Sequence, residues 1–300
     1  MRVIAYLGPE GTFTHQAARD LASTSDELRP LASASAVIQA VESGEVDGGV
    51  VAFENSLQGA VPANLDDLLD ARSCLLAGER VLPVSFSLFR LPGDAEPLAG
   101  VISHPFGLAQ CRDFIRANGL ATREALSTAA ACADLARDRE AGWGALAPQI
   151  AGELAGLEPA QQQLEDSDRA ATRFVLLRRR SPGPSGRDRS AFAFRPRQDE
   201  PGSLVRLLQE FSVRDINLTA IKSRPTKVLL GEYVFFIECE GHISEPLLHD
   251  AVRGLLRFPG ETRFLGSFPE DPQRPPRNGD QADRDVEVAY REMLGQVDPA

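Results

Sequence analysis

Several short polar stretches, each following an apolar run, place hydroxyls, amides, a carboxylate and a histidine where a ligand could meet exposed backbone N–H groups. The first runs Gly8-Pro9-Glu10-Gly11-Thr12-Phe13-Thr14-His15. Glycines at 8 and 11 let the backbone come close to a ligand, and the helix start that follows favours an anion. Neither Gly-Lys-Ser/Thr nor Gly-x-Gly-x-x-Gly is present, so this is not a nucleotide phosphate loop; alone it reads at least as well as a structural corner. The second, Glu54-Asn55-Ser56, ends an apolar strand, and its bland reading is a helix cap beside a solvated carboxylate. The third, Ser103-His104-Pro105, has the same layout, and His104 alone is more often a structural residue than an acid or base. Ser127-Thr128 opens a further helix. Thr172-Arg173-Phe174 then leads an apolar strand, where an Arg is costly to bury without a carboxylate or phosphate. A surface salt bridge is the alternative for Arg173.

The elements that must position these residues alternate strand and helix up to about residue 178, the signature of α/β layers. Strands are expected at Val3 to Leu7, Gly49 to Phe53, Arg80 to Phe89, Gly100 to Ile102, Trp143 to Ala147 and Arg173 to Leu177. Helices are expected from Thr14, Ala34, Pro62, Gly107, Thr128 and Gln149, with a small-ligand site at strand C-terminal ends. Arg178 to Ser190, rich in Pro, Gly, Ser and charge, reads as a linker. Beyond it the pattern is βαββαβ: Ala191 to Arg195, Gly202 to Val213, Ile216 to Ser223, Leu229 to Glu240, Glu245 to Arg257 and Arg263 to Phe268. Such a unit makes one sheet with two helices on one face, and its edge strand can extend across a dimer. From Pro269 a mobile tail is expected, carrying one short amphipathic helix at Val286 to Leu294.

Composition excludes several classes of function. With 32 Lys and Arg against 43 Asp and Glu the formal charge is −11, which argues against nucleic acid or an anionic membrane surface as partner. Only Lys222 and Lys227 are lysines. No segment approaches the roughly 18 apolar residues of a membrane span, and the first residues lack a secretory signal, so a cytoplasmic protein is expected. Cys74, Cys111, Cys132 and Cys239 are widely spaced and read as buried, reduced thiols rather than metal ligands or disulfides.

The stretches GPEGTFTHQAA, FENSLQGAV, SHPFGLAQC, STAAACA and ATRF occur in the order and spacing of prephenate dehydratase, and the sequence strongly resembles that family from residue 1 to about 268. GSLVRLLQEF, INLTAIKSRP and YVFFIECEGH are similar to its C-terminal regulatory ACT domain. The resemblance implies conversion of prephenate to phenylpyruvate with loss of carbon dioxide and water, without metal or organic cofactor. With no chorismate mutase segment, it implies a monofunctional enzyme supplied with prephenate by another protein. It further implies an α/β catalytic domain over 1–178, two-lobed like a type 2 periplasmic binding protein, with one lobe at about 1–77 and 166–178 and the other at about 78–165. A linker at 179–190, a ferredoxin-like ACT domain at 191–268 and a tail at 269–300 would follow.

By the same resemblance Thr172, Arg173, Phe174, Glu54, Asn55 and Ser56 are the expected catalytic residues. Gly11, Thr12, Phe13, Ser103, His104, Ser127 and Thr128 would bind substrate, with Arg173 helping to hold its carboxylates. Thr172 would hydrogen-bond the departing hydroxyl, being too weak an acid to protonate it fully. Gly202, Ser203, Leu204, Asn217, Leu218, Thr219, Lys222, Ser223, Arg224 and Pro225 would bind an amino-acid effector, phenylalanine by preference, at the interface of a homodimer or homotetramer. Three departures stand out: Ala170 where the family commonly has Asn, Phe106 where it usually has Gln, and Lys222 where its effector motif has Glu. Competing expectations are an arogenate dehydratase, a non-aromatising prephenate decarboxylase, and a non-catalytic organic-acid sensor.

Overall fold

The computed structural model describes residues 1–56, 59–167, 169–197, 200–227 and 232–273. In chain order the first elements are β1 (Val3–Leu7), α1 (Phe13–Leu21), β2 (Glu27–Leu31), α2 (Ala34–Ser43), β3 (Gly48–Asn55), β4 (Gly59–Ala60), α3 (Pro62–Asp70) and β5 (Leu75–Pro83). Next come β6 (Ser87–Arg90), β7 (Gly100–Ser103), α4 (Pro105–Gln110), α5 (Arg112–Ala117), β8 (Ala121–Glu124), α6 (Thr128–Asp138), β9 (Trp143–Ala147), α7 (Gln149–Leu154), β10 (Glu158–Gln161) and β11 (Ala171–Arg178). The last are β12 (Asp188–Pro196), α8 (Ser203–Ser212), β13 (Leu218–Pro225), β14 (Tyr233–Glu240), α9 (Pro246–Leu255) and β15 (Gly260–Pro269).

These strands form three sheets, in the orders β2-β1-β3-β11-β5 (with β4 against β3), β10-β6-β9-β7-β8, and β13-β14-β12-β15. One strand expected over Arg80 to Phe89 is instead two. Pro83 ends β5 in the first sheet, and the chain crosses to begin β6 in the second. The return crossing precedes β11, and the Val84 N–H donates to the Ala170 carbonyl (2.7 Å) where the two segments meet. Ala170 is buried there with Val84, Phe86 and Leu164, which places this departure from the family pattern in apolar packing. Phe106 lies 6.4 Å from Phe86, and Phe13 meets Phe86 edge-on at 5.7 Å.

Helix starts follow their caps. Thr12, Ser33 and Ser127 each accept a backbone N–H with the side-chain oxygen, opening α1, α2 and α6. On one face of the first sheet α1 packs over Ile4, Tyr6, Phe174 and Leu176. The other face shares a core with the third sheet, in which Val51, Phe53, Leu76 and Val175 meet Ala191, Phe236, Leu265 and Phe268. β15 approaches β5 so closely at Gly266 that a Cβ there would lie 2.2 Å from the Leu76 carbonyl oxygen. Helices α8 and α9 cover the outer face of the third sheet.

Met1–Glu270 is accordingly one compact unit. The expected linker through Ser190 is shorter than composition suggests, because Asp188, Arg189 and Ser190 are buried in β12. The expected helix at Val286 to Leu294 and the expected strand start at Leu229 lie outside the described residues. All four cysteines are free and buried, and among the described residues no helix is long and apolar enough to cross a membrane.

Candidate active site

Strand pairing brings two distant polar stretches into register. β11 runs antiparallel to β3, setting Thr172 opposite Asn55 and Arg173 opposite Glu54, and the Asn55 side-chain amide donates to the Thr172 hydroxyl at 3.0 Å. Successive strand residues point to opposite faces, so Thr172 and Arg173 cannot serve the same side of the sheet. The register shift between Arg173 and Phe174 marks a bulge, the usual device for re-aiming side chains beside a site. Thr172 is half-buried, and its oxygen, already accepting from Asn55, keeps its own O–H to donate.

Arg173 was expected to hold substrate carboxylates; the structure corrects this. It is buried, its Nε 2.6 Å from Glu79 and its Nη2 2.7 Å from Glu238 of β14, with Glu54 at 3.8 Å. Glu238 also takes Arg189 at 2.8 Å and the Thr219 hydroxyl at 3.1 Å, and Arg189 pairs with Glu270. Burial would push the Glu238 carboxyl up, but Arg173 and Arg189 outweigh it and hold the carboxyl at about 2. The same carboxylates hold Arg173 above the usual guanidinium range, although burial opposes them. The demand for a buried counter-charge was correctly read, but protein carboxylates meet it rather than substrate. Sequence reasoning missed Glu79 and Glu238; the signal was a carboxylate inside an apolar strand, which needs a cation as Arg173 needs an anion.

Three other expected catalytic residues take different roles. Glu54 sides with Arg173, and its Oε1 lies 3.5 Å from Lys222 Nζ. Phe174 is buried beneath α1 with Tyr6 and Ala17. The Ser56 hydroxyl donates to the Arg169 carbonyl and accepts the Ala171 N–H, tying the end of β3 to the segment entering β11.

Most of the expected substrate-binding residues sit at helix starts. Gly11, with φ +83°, needs the left-handed region, and a Cβ there would lie 3.1 Å from Ala151 Cα and 3.2 Å from Ala129 Cβ. The α1 turn therefore abuts α6 and α7 of the second sheet's layer. Thr12 spends its hydroxyl on the α1 cap and the Pro9 carbonyl. Behind them the Gly11 N–H donates to His15 Nδ1 at 3.0 Å, the ring stacks on Tyr6, and burial lowers the imidazole below its usual range. Ser127 caps α6, Thr128 is buried behind it, and His104 caps α4 by accepting the Phe106 N–H. Ser103 is fully buried and donates to the Leu146 carbonyl at 2.6 Å, so its side chain is structural and not a substrate contact.

The expected effector residues fall in separate places within the chain. Gly202 and Ser203 start α8, whereas Asn217 lies beyond its far end; ten residues of helix separate them by about 15 Å. Leu204 and Leu218 line the core under α8 and α9. Asn217 donates to Glu240, Thr219 to Glu238, and Arg224 forks onto Asp66 of α3 at 2.7 and 3.0 Å. Ser223 and Pro225 are exposed. A cavity of about 270 Å³ between α3 and the third sheet is lined by Asp66, Lys227, Arg195 and Arg263, away from Thr172.

A family model described as prephenate dehydratase matches residues 4–182. The prephenate dehydratase of Amycolatopsis methanolica is 39% identical over 271 residues, covering 89% of this chain and 88% of its own. Among solved structures, GqqA, described as a novel type of quorum-quenching acylase, superposes with a TM-score of 0.81 at 30% identity, covering 91% of this chain and 100% of its own. The prephenate dehydratase of Arthrobacter aurescens in complex with L-Phe gives 0.80 at 29% identity, covering 97% and 99%.

Proposed function

The chain belongs to the prephenate dehydratase family, and from that premise we propose that it converts prephenate to phenylpyruvate in phenylalanine biosynthesis. The observation that carries the site assignment is the Asn55–Thr172 hydrogen bond, formed where β11 pairs with the end of β3. Prephenate is a dianion. As the bond to its ring carboxylate breaks, the electron pair enters the ring, carbon dioxide departs and the C4–O bond opens with its pair on oxygen, the leaving hydroxide taking one proton from solvent to become water. The ring becomes aromatic, so the protein's task is positioning and relief of charge on the leaving oxygen. The Thr172 O–H donates to that oxygen, and the amide of Asn55 polarises the hydroxyl for it. The N-terminal turns of α1 and α6, meeting at Gly11, supply N–H groups and dipole for the carboxylates.

The first two sheets, joined by crossings near 84 and 170, support a two-lobed catalytic domain of the type 2 periplasmic-binding-protein kind, its first lobe extending through Pro83 rather than residue 77. The βαββαβ order and the β13-β14-β12-β15 sheet support an ACT domain. Since the expected effector residues do not meet within one chain, phenylalanine binds between two copies in a cytoplasmic homodimer or homotetramer.

Purified protein incubated with prephenate near neutral pH, then read for phenylpyruvate in alkali with and without phenylalanine, tests both parts. Phenylpyruvate formed and suppressed by phenylalanine is expected. No phenylpyruvate from folded protein refutes the activity, and turnover indifferent to millimolar phenylalanine refutes the effector.

A further inference from the structure

β13 is the edge strand of the third sheet, yet it reaches the back of the two strands that carry Asn55 and Thr172. Lys222 makes that contact. Its Nζ is shielded from solvent, lies 3.5 Å from Glu54 Oε1, and sits 5.3 Å above Phe53 and 6.0 Å above Phe236. Among the described residues it has this one ion pair and no hydrogen bond. The other Glu54 oxygen faces Arg173 at 3.8 Å. One carboxylate thus bridges a cation of the third sheet and a cation of the first, immediately beside Asn55 in sequence.

We propose that Lys222 is a positioning residue for the reaction, holding Glu54 inward and thereby fixing the end of β3 that presents Asn55 to Thr172. The proposal rests on the prephenate reaction assigned above. Glu54 needs such a hold. Glu79, Glu238 and Glu270 are buried within the same cluster, while Glu54 keeps 38% of its side chain exposed. Without Lys222, Arg173, Arg189 and Arg187 face four carboxylates, and the carboxylate with access to water is the one that leaves. Past Glu54, β3 is held by Ser56, whose bonds go to the backbone of the segment entering β11 and not to the side chain of Asn55. Lys222 accordingly braces the back of the strands that carry Asn55 and Thr172.

The test uses the full chain carrying Lys222→Met or Lys222→Arg, with kcat, KM for prephenate and thermal midpoint measured beside wild type. The Met variant should lose at least about fivefold in kcat with KM changed less than about twofold, and Arg, which keeps the charge, should restore kcat to within about twofold. Lys222→Gln keeps the polar end without the charge and serves if the Met variant does not fold. Wild-type kcat from either folded neutral variant overturns the proposal, as does equal loss in the Arg variant, or a loss matched by a fall in folded fraction. Absence of turnover in wild type overturns the assigned reaction and this proposal together, which separates the two failures.

Discussion

Replacing Glu238 by Gln removes the charge at the centre of the cluster joining the first and third sheets while keeping the side chain's size. Arg173 and Arg189 each lose a partner at 2.7 and 2.8 Å, but Glu79 and Glu270 remain at 2.6 and 2.9 Å. Breaking a buried pair costs about 3–5 kcal/mol when a charge is left uncompensated, and the surviving partners place this case at the low end. Linkage gives a similar figure: a carboxyl held at about 2 instead of its usual 4.5 stabilises the fold by roughly 3 kcal/mol, at about 1.4 kcal/mol per unit. Because the folded value is the depressed one, that stability is complete above 4.5 and is lost as pH falls from 4.5 toward 2. Urea unfolding followed by far-ultraviolet circular dichroism should show Glu238→Gln weaker by about 3 kcal/mol at pH 7 with an unchanged m-value. The deficit should narrow as the pH is lowered below 4.5. A loss below about 1 kcal/mol at pH 7, or a deficit that does not shrink in acid, refutes the reasoning.

Gly11→Ala forces a Cβ onto a φ of +83° and to 3.1 Å from Ala151 Cα. It should cost about 1–2 kcal/mol in calorimetry and raise KM for prephenate by separating the α1 and α6 starts; wild-type KM and stability would contradict that geometry. Burial pushes the thiols of Cys74, Cys111 and Cys132 up to about 12, and Cys239 is raised as well. A chromogenic disulfide reagent at pH 8 should therefore find all 4 thiols only after denaturation; a thiol titrating at once in the folded protein would contradict this.

What the sequence disclosed and what it hid follow from where each signal resides. β1 and β9 match their expected spans, and α2, α3, α6 and α7 begin where caps or Pro announce them. Glu27–Leu31, Ala121–Glu124 and Glu158–Gln161 gave no apolar alternation, because all three are exposed or half-exposed sheet edges fixed by pairing to a neighbour. The Asn55–Thr172 pair joins residues 117 apart, beyond any local spacing rule, and only the family resemblance put them in one site. Arg173 was rightly marked as needing a counter-charge, but its partners come from β5 and β14, and nothing local distinguishes those carboxylates from a substrate's. Lys222 looked like a lost effector contact because its partner, Glu54, lies on another sheet.

The central claim is that the Thr172 hydroxyl assists departure of the prephenate hydroxyl while Arg173, one residue on, does not touch substrate. Thr172→Val keeps the shape and removes the O–H, so steady-state kinetics with prephenate test it most directly. The account predicts a fall in kcat of about 100-fold or more with KM within about threefold. A variant retaining kcat within about twofold would contradict it.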